Sequence, residues 1–258
     1  MREILRLSGV SLTYQAENGE VKALDDINIT AHEGSLISII GPSGCGKSTL
    51  LSLIAGLEAP TCGEIYVAGE RVNGVSDKIG YMLQKDNLLD WRTIRSNVLL
   101  GLEIRGMLCD ERVAYAESLL KTYGLWEFRD KHPPQLSGGM RQRAALIRTL
   151  AAKPELLLLD EAFSALDYQT RLAVADDVFD ILKREGKTAV IVTHDISEGI
   201  GMADRLIVLS KRPGRISRDI NIEFNENENK TLSPLERRNE TNFRDYFNII
   251  WKELDVNA

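Results

Sequence analysis

Short apolar runs alternate with longer amphipathic stretches through most of the chain. The runs are LISII at 36–40, LLLL at 156–159, TAVIVT at 188–193 and the similar RLIVLS at 205–210. Such runs are typical of parallel strands that are buried on both faces. Amphipathic stretches that predict helices lie at 48–58, 171–185 and 197–203. The alternation of strand and helix predicts an α/β fold with a parallel sheet.

The N-terminal segment has a different pattern. Residues 4–14 and 21–30 alternate between apolar and polar positions, and the ENG sequence at 17–19 between them is a turn signal. This arrangement predicts two strands joined as a hairpin. We therefore expect an antiparallel β subdomain on the N-terminal side of the core.

The middle of the chain is predicted to be helical. The stretches 95–106, 111–125 and 137–153 show helical spacing of apolar residues. We interpret about 88 to 152 as a helical subdomain inserted in the α/β core. The apolar residues of NLLDW, at 87–91, either pack in this subdomain or form a docking surface, and the sequence leaves both open.

The C-terminal part begins with a polar, Asn-rich stretch at 223–230 that predicts a linker or an exposed loop. Ser233 followed by Pro234 is a start signal for a final helix. From Phe243 to Leu254, apolar residues recur at helical spacing and form a stripe. The stripe packs either on the core of this chain or on a partner.

Composition narrows the class of protein. The 258 residues carry a formal net charge of −6, which disfavours a nucleic-acid partner. No apolar run approaches the roughly 18 residues that span a bilayer. The three cysteines, Cys45, Cys62 and Cys109, have no metal-ligand spacing.

A glycine-rich loop, GPSGCGKST at 41–49, follows the apolar run at 36–40 and precedes a predicted helix. Its glycines allow several backbone N–H groups to converge on a phosphate, and the helix N-terminus adds positive charge. Lys47 is expected to reach the β and γ phosphates, and Ser48 to supply a hydroxyl to Mg²⁺. Cys45 is interpreted as a small filler, although the positive surroundings leave a reactive thiol as a second hypothesis.

Polar residues follow several other predicted strands. Asp160 and Glu161 come at the end of the run at 156–159, where open α/β sheets hold their ligands. Asp160 is expected to hold Mg²⁺, and Glu161 to orient or deprotonate the attacking water. His194 ends the next strand, where it could contact the γ-phosphate, and Gln84 follows a short strand and could reach Mg²⁺ or the water.

A second glycine-rich stretch, LSGGM at 136–140, also precedes an apolar-periodic segment. A Ser-Gly-Gly helix start has the features of an anion site. It lies about 90 residues beyond the first loop, so one chain has two candidate phosphate sites.

In order and spacing, these motifs resemble the ATP-binding cassette (ABC) ATPases. Tyr14, GPSGCGKST, Gln84, LSGGM, LLLLDE, SALD at 164–167 and His194 correspond to the A-loop, Walker A, Q-loop, signature, Walker B, D-loop and H-loop. The resemblance implies a P-loop NTPase core with a mixed sheet, ATP hydrolysis with Mg²⁺, and an ATPase domain over 1–225, followed by a linker and amphipathic helix over 226–258. The implied catalytic residues are Lys47, Gln84, Glu161 and His194. The implied nucleotide-binding residues are Tyr14, Gly41, Pro42, Ser43, Gly44, Cys45, Gly46, Lys47, Ser48, Thr49, Ser137, Gly138, Gly139 and Asp167. The implied metal ligands are Ser48, Gln84 and Asp160.

The resemblance also explains the two phosphate sites. Cassettes of this type pair head to tail, so Ser137 and Gly139 are expected to face the nucleotide of a second copy, and Asp167 to lie at the seam. The stretches 80–106, 209–216 and 242–254 are similar to importers of the nitrate/sulfonate/taurine type. This similarity implies that the chain binds permease subunits at the cytoplasmic face of the membrane. It also implies a solute-binding protein as an indirect partner. An exporter ATPase and a non-transport cassette are the alternatives.

Overall fold

The computed structural model describes residues 2–16, 19–224 and 231–256. Its strands are β1 (Glu3–Ala16), β2 (Gly19–His32), β3 (Leu36–Ile40), β4 (Cys62–Val67), β5 (Glu70–Arg71), β6 (Ile79–Met82), β7 (Leu156–Asp160), β8 (Thr188–Val192), β9 (Arg205–Leu209) and β10 (Ile216–Asn221). Its α-helices are α1 (Lys47–Ile54), α2 (Ile94–Ile104), α3 (Asp110–Thr122), α4 (Gly138–Ala151), α5 (Tyr168–Arg184), α6 (Ile196–Met202), α7 (Pro234–Arg237) and α8 (Thr241–Val256).

The central sheet is built from the apolar runs. Its order is β10-β9-β3-β8-β7-β6, and every pair is parallel except β10 with β9. All five residues of β3, of β7 and of β8 are buried, as expected for strands covered on both faces. The predicted α/β core with a mixed sheet is confirmed.

A second, antiparallel sheet has the order β2-β1-β4-β5. The long strands β1 and β2 form the predicted hairpin, and the turn residues 17 and 18 lie outside the described residues. Apolar residues of β1 and β2 form one core cluster with those of α1 and with one face of the central sheet. The antiparallel sheet therefore covers the side of the core that carries the glycine-rich loop.

Helices α2, α3 and α4 form the helical part. Thr93 caps α2, because its side chain accepts a hydrogen bond from the Ser96 N–H at 3.2 Å. The cluster of buried side chains in these helices continues into α5 and the central sheet. Leu88 belongs to that cluster and is only 8% exposed. For Leu88 the core-packing alternative is therefore correct, and this residue is not available for docking.

The C-terminal part differs from the single helix that the sequence predicts. Ser233 caps a helix as predicted, but that helix, α7, ends at Arg237, and the apolar stripe lies on a separate helix, α8. Phe243 and Ile250 of the stripe are buried against residues of α6 and β9. The stripe thus packs on this chain's own core. The part of the predicted linker at 225–230 lies outside the described residues.

Among the residues that the structure describes, no helix combines the length and the apolar composition that crossing a membrane requires.

Candidate functional site

All five parallel strands end at the same edge of the central sheet, and each delivers a polar or glycine-rich segment there. The glycine-rich loop follows β3, and Gln84 lies two residues beyond β6. Asp160 is the last residue of β7, and His194 lies two residues beyond β8. The carboxyl edge of an open α/β sheet is where such folds bind ligands, so the topology gathers the candidate residues from distant parts of the chain.

The glycine-rich loop is shaped as a phosphate cradle. Gly44 and Gly46 have φ angles of 75° and 104°, which only glycine adopts easily, and α1 begins directly afterwards. The Lys47 ammonium is 7% exposed and donates to the carbonyl oxygens of Gly41 at 2.9 Å and Pro42 at 3.0 Å. A cation and a helix N-terminus therefore meet at one point.

Cys45 is a packing residue of this loop. Its side chain is 1% exposed, and burial raises the pKa of the thiol despite the nearby positive charge of Lys47. A protonated, inaccessible thiol is a poor nucleophile. The structure thus favours the filler interpretation over a reactive cysteine.

Asp160 is a buried carboxylate beside the cradle. It accepts hydrogen bonds from the Ser48 hydroxyl at 3.1 Å and the Tyr81 hydroxyl at 3.2 Å. Burial raises the pKa of Asp160. Hydroxyl and carboxylate oxygens are ligands that Mg²⁺ prefers, and this ion commonly takes few protein ligands besides waters and substrate phosphates. The described residues contain no group of three or more His, Cys, Asp or Glu placed to hold a metal ion.

Glu161 is held in an unusual backbone conformation next to Asp160. Its φ of 46° lies in the left-handed region, and its N–H donates to the Val192 carbonyl at 2.8 Å. Backbone strain of this kind costs energy and is concentrated at functional sites. Its carboxylate lies 3.3 Å from Nδ1 of His194 and 3.4 Å from the amide nitrogen of Gln84. Three residues predicted separately thus form one contacting group.

Tyr14 lies at the other side of the glycine-rich loop. Its hydroxyl donates to Glu58 at 2.7 Å, and its ring is partly exposed. Burial and the Glu58 carboxylate raise the pKa of the phenol, while Thr49 and Arg212 act in the opposite direction. Tyr14 is therefore placed near Thr49, the last residue of the glycine-rich loop.

An open cleft of about 530 Å³ lies over the glycine-rich loop. Its lining consists of Ser43, Gly44, Gly46, Lys47, Ser48, Thr49, Glu161, His194 and Arg212. Arg212 is the residue that the sequence analysis did not assign. The sequence feature that indicates Arg212 is its position just beyond the apolar run at 205–210. The other site residues likewise follow predicted strands.

The second glycine-rich stretch does not line this cleft. Ser137 caps α4 through a hydrogen bond from the Met140 N–H at 3.3 Å, and Ser137 is exposed. Side chains at Gly138 and Gly139 would collide with Leu166 and Val174, respectively, so these glycines also allow close packing of α4.

Asp167 is also apart from the cleft. It caps α5 by accepting from the Thr170 N–H at 3.1 Å, and this interaction lowers the pKa of its carboxyl. Within one chain the predicted residues therefore form two separate surfaces. One surface is the cleft, and the other is the exposed signature and D-loop region.

The glycine-rich loop, the buried Asp160 and the strand-end glutamate define a P-loop nucleotide-binding protein. The ABC transporter family model matches residues 24–164. The chain belongs to the ABC transporter family, as its ATP-binding, ATP-hydrolysing subunit.

Several relatives match nearly the whole chain. An uncharacterised ABC transporter ATP-binding protein, YtlC of Bacillus subtilis, is 48% identical over 97% of this chain and 95% of its own length. The nitrate import ATP-binding protein NrtD of Synechocystis is 41% identical over 84% of this chain and 82% of its own length. The taurine import ATP-binding protein TauB of Roseobacter denitrificans is 38% identical over 85% and 82%, respectively.

A solved structure shares the fold. It is a dimeric post-hydrolysis state of an ATP-binding cassette bound to ADP and Pi, with a TM-score of 0.70 and 33% sequence identity. The match covers 86% of this chain and all of that one.

Proposed function

We propose that the cleft binds MgATP through the loop at 41–49 and that Glu161 activates the attacking water. The observation that carries this proposal is the convergence of Lys47, Glu161 and His194 on one cleft, with Asp160 bonded to Ser48 in the lining of that cleft. Lys47 is the cation for the β and γ phosphates. Tyr14 is placed to contact the base.

Proton transfer is assigned to Glu161. Its carboxylate is partly shielded from solvent and lies within reach of His194 and Gln84. In this proposal Glu161 accepts the proton of the water, Gln84 orients that water, and His194 contacts the γ-phosphate. Ser48, Gln84 and Asp160 would hold Mg²⁺, which would neutralise charge at the phosphates.

A second copy of the chain completes each site in this proposal. Ser137 and Gly139 lie at the N-terminus of the 14-residue helix α4, where Ser137 is exposed and Gly139 is buried. A helix N-terminus is a favourable end for a phosphate. Because both residues lie outside the chain's own cleft, they are assigned to the nucleotide of the partner. Asp167, also outside the cleft, is assigned to the seam. The dimeric assembly named for the structural neighbour supports this arrangement.

The transport role is proposed to be solute import. Relatives named as nitrate and taurine import ATP-binding proteins support this class. The ATPase domain, 1–225, would dock on permease subunits at the cytoplasmic face of the cell membrane, with a solute-binding protein acting indirectly. The helical subdomain of about 88–152 would contribute the docking surface.

A groove on the helical part is the proposed permease contact. It measures about 210 Å³ and lies between β6, α2 and α4. Ile104, at the end of α2, lines it and is 77% exposed, and Leu100, Arg105 and Arg148 are among its other lining residues. In this proposal Ile104 is the apolar side chain that the permease covers.

Replacing Glu161 with Gln tests the catalytic proposal. The amide keeps the shape and hydrogen bonding of the side chain but cannot accept the proton. We expect ATP binding to persist and kcat to fall by about 10²-fold or more. ATP binding by calorimetry and phosphate release at saturating ATP are the two measurements.

Glu111→Gln is the matched control, because Glu111 is an exposed acid in the first turn of α3, away from the cleft. It should leave both measurements unchanged. A Glu161→Gln protein with turnover near that of the wild type would remove Glu161 from the proposed role.

Uptake of labelled taurine and nitrate tests the import proposal. Cells in which the gene for this chain is deleted should lose energised uptake of the transported solute, and the wild-type gene should restore it. Restoration should fail with Lys47→Ala. Normal uptake of both solutes in the deletion strain would argue against this substrate class.

A further inference from the structure

The loop that follows β9 is clamped against the phosphate loop. Gly214 donates to the Ala23 carbonyl at 2.9 Å and accepts from the Asp25 N–H at 3.0 Å, so the loop is joined to β2. A side chain at Gly214 would overlap the carbonyl oxygen of Cys45. The loop is therefore in contact with the phosphate loop as well.

The loop is also closed on itself. The Ser210 N–H donates to the Arg215 carbonyl at 2.9 Å, and the Ser210 hydroxyl accepts from the Arg215 N–H at 3.0 Å. Arg215 is held by an ion pair with Asp25. The backbone around Arg212 is thus positioned before any ligand binds, which lowers the entropic cost of a contact.

Arg212 is the cation that this loop presents to the cleft. It lines the cleft together with Thr49 and Lys47. Unlike Arg215, its guanidinium forms no hydrogen bond or ion pair with any residue that the structure describes. A guanidinium offers five donors and no acceptor, so it is suited to phosphate, ribose and base oxygens or ring nitrogens.

The position of Arg212 relative to Tyr14 indicates which end of the nucleotide it meets. The loop that carries Arg212 bonds to Ala23 and Asp25 of β2 through Gly214. Tyr14 of β1 pairs with Val21, two residues before Ala23 in the same strand β2. Glu161 and His194, the groups assigned to the water and the γ-phosphate, contact each other and follow the central-sheet strands β7 and β8. Arg212 therefore belongs with the Tyr14 end.

We infer that Arg212 is a nucleotide-binding residue that contacts the nucleoside and α-phosphate portion shared by ATP and ADP. This inference rests on the proposed nucleotide site at 41–49. Each of the five parallel strands then contributes a residue to that site from its carboxyl end, with Arg212 as the contribution of β9.

The test compares ADP and ATP binding to the full chain by calorimetry. Arg212→Ala should weaken binding of both nucleotides by a similar factor, about tenfold, because the contacted portion is common to them. The KM for ATP should rise by a similar factor, with a smaller effect on kcat. Arg212→Lys should recover part of the loss, since a point charge replaces the planar donor group.

Lys211→Ala is the matched control. Lys211 is exposed in the same loop and does not line the cleft, so loss of its charge should leave ADP binding unchanged. The thermal unfolding midpoint of Arg212→Ala should match that of the wild type, which separates a binding defect from a folding defect.

A Lys47→Ala variant distinguishes failure of the inference about Arg212 from failure of the proposed nucleotide site. If Arg212→Ala binds ADP normally while Lys47→Ala does not, the inference about Arg212 is wrong and the proposed site stands. If Lys47→Ala also binds both nucleotides normally, the proposed site itself is wrong. A loss of ATP binding without loss of ADP binding in Arg212→Ala would assign it to the γ-phosphate and overturn the inference.

Discussion

Glu198, in α6, is a carboxyl group that the fold buries almost completely. It is 4% exposed, and burial raises its pKa to about 7. A hydrogen bond with Thr193 and the charges of Arg171 and Arg238 lower the pKa, while Asp195 raises it. The carboxyl is thus neutral in the fold at a pH where the unfolded chain has already ionised it.

The sign of the resulting pH dependence follows from linkage. Between its ordinary pKa of 4.5 and about 7, the folded state binds more protons at Glu198 than the unfolded state does. The contribution of Glu198 to stability is therefore present below pH 4.5 and is lost as the pH rises through about 7. The full change is on the order of 3 kcal/mol.

We predict that the free energy of unfolding falls less between pH 5 and pH 8 in Glu198→Gln than in the wild type. This range covers most of the window of about 2 to 3 pH units between the two pKa values. Urea unfolding at several pH values gives the free energies. Glu111→Gln is the control and should follow the wild-type curve. Parallel curves for the wild type and Glu198→Gln would show that Glu198 does not titrate in this window.

The sequence predicts a site residue when a side chain with suitable chemistry directly follows a predicted strand. Asp160, Glu161 and His194 follow apolar runs, and those runs are the buried strands β7 and β8. Arg212 was missed because an exposed arginine three residues after a strand is common, and only the clamped loop shows where it lies. The contact between Glu161 and His194 also requires the sheet order.

At the scale of elements, apolar patterning identifies the buried strands better than the exposed ones. Strand β10 has the sequence ISRDIN and no fully buried residue, and it is held by its pairing with β9. Strand β4 is buried at only two of its positions. Such strands depend on tertiary pairing more than on their own sequence. The separation of α7 from α8 escaped prediction because both segments have helical character.

Substitution of the buried Leu88 and of the exposed Ile104 separates a packing role from a docking role. Ile104→Glu should leave the ATPase activity of the isolated protein unchanged and weaken binding to the permease by about tenfold or more. Leu88→Glu should instead unfold the helical part, because it places a charge in the core. Copurification with the permease in detergent and thermal unfolding are the measurements.

Ile249→Glu is the matched control for Ile104→Glu. Ile249 is exposed on α8 and does not line the groove between β6, α2 and α4. Its replacement should leave permease binding intact. Normal permease binding and normal uptake with Ile104→Glu would place the docking surface elsewhere.

For the whole molecule, the unit of activity is proposed to be a pair of chains. Each chain has a cleft that contains Lys47 and His194, and a separate exposed surface that contains Ser137. In a symmetric pair each site takes its cleft from one chain and its signature from the other. This arrangement can be tested by mixing inactive variants.

A mixture of Lys47→Ala and Ser137→Glu should recover activity, although each variant alone is inactive. In Ser137→Glu an acidic residue at the start of α4 remains compatible with the helix but repels the phosphate of the partner. Random mixing gives one intact site in half of the dimers, so about a quarter of the wild-type activity is expected if the two sites act independently. Phosphate release as a function of mixing ratio is the measurement.

The decisive comparison is a mixture of Lys47→Ala and His194→Ala. Both residues belong to the same cleft, so every site in that mixed dimer carries one defect and no recovery is expected. Recovery in the first mixture and not in the second can arise only if Ser137 acts on the nucleotide of the other chain. Size exclusion shows whether the first pair of variants forms dimers with ATP. If such dimers form but neither mixture recovers activity, the dimer does not contain two independently active sites that are each built from both chains. Equal recovery of activity in both mixtures would contradict the proposal that each site takes its cleft from one chain and Ser137 from the other.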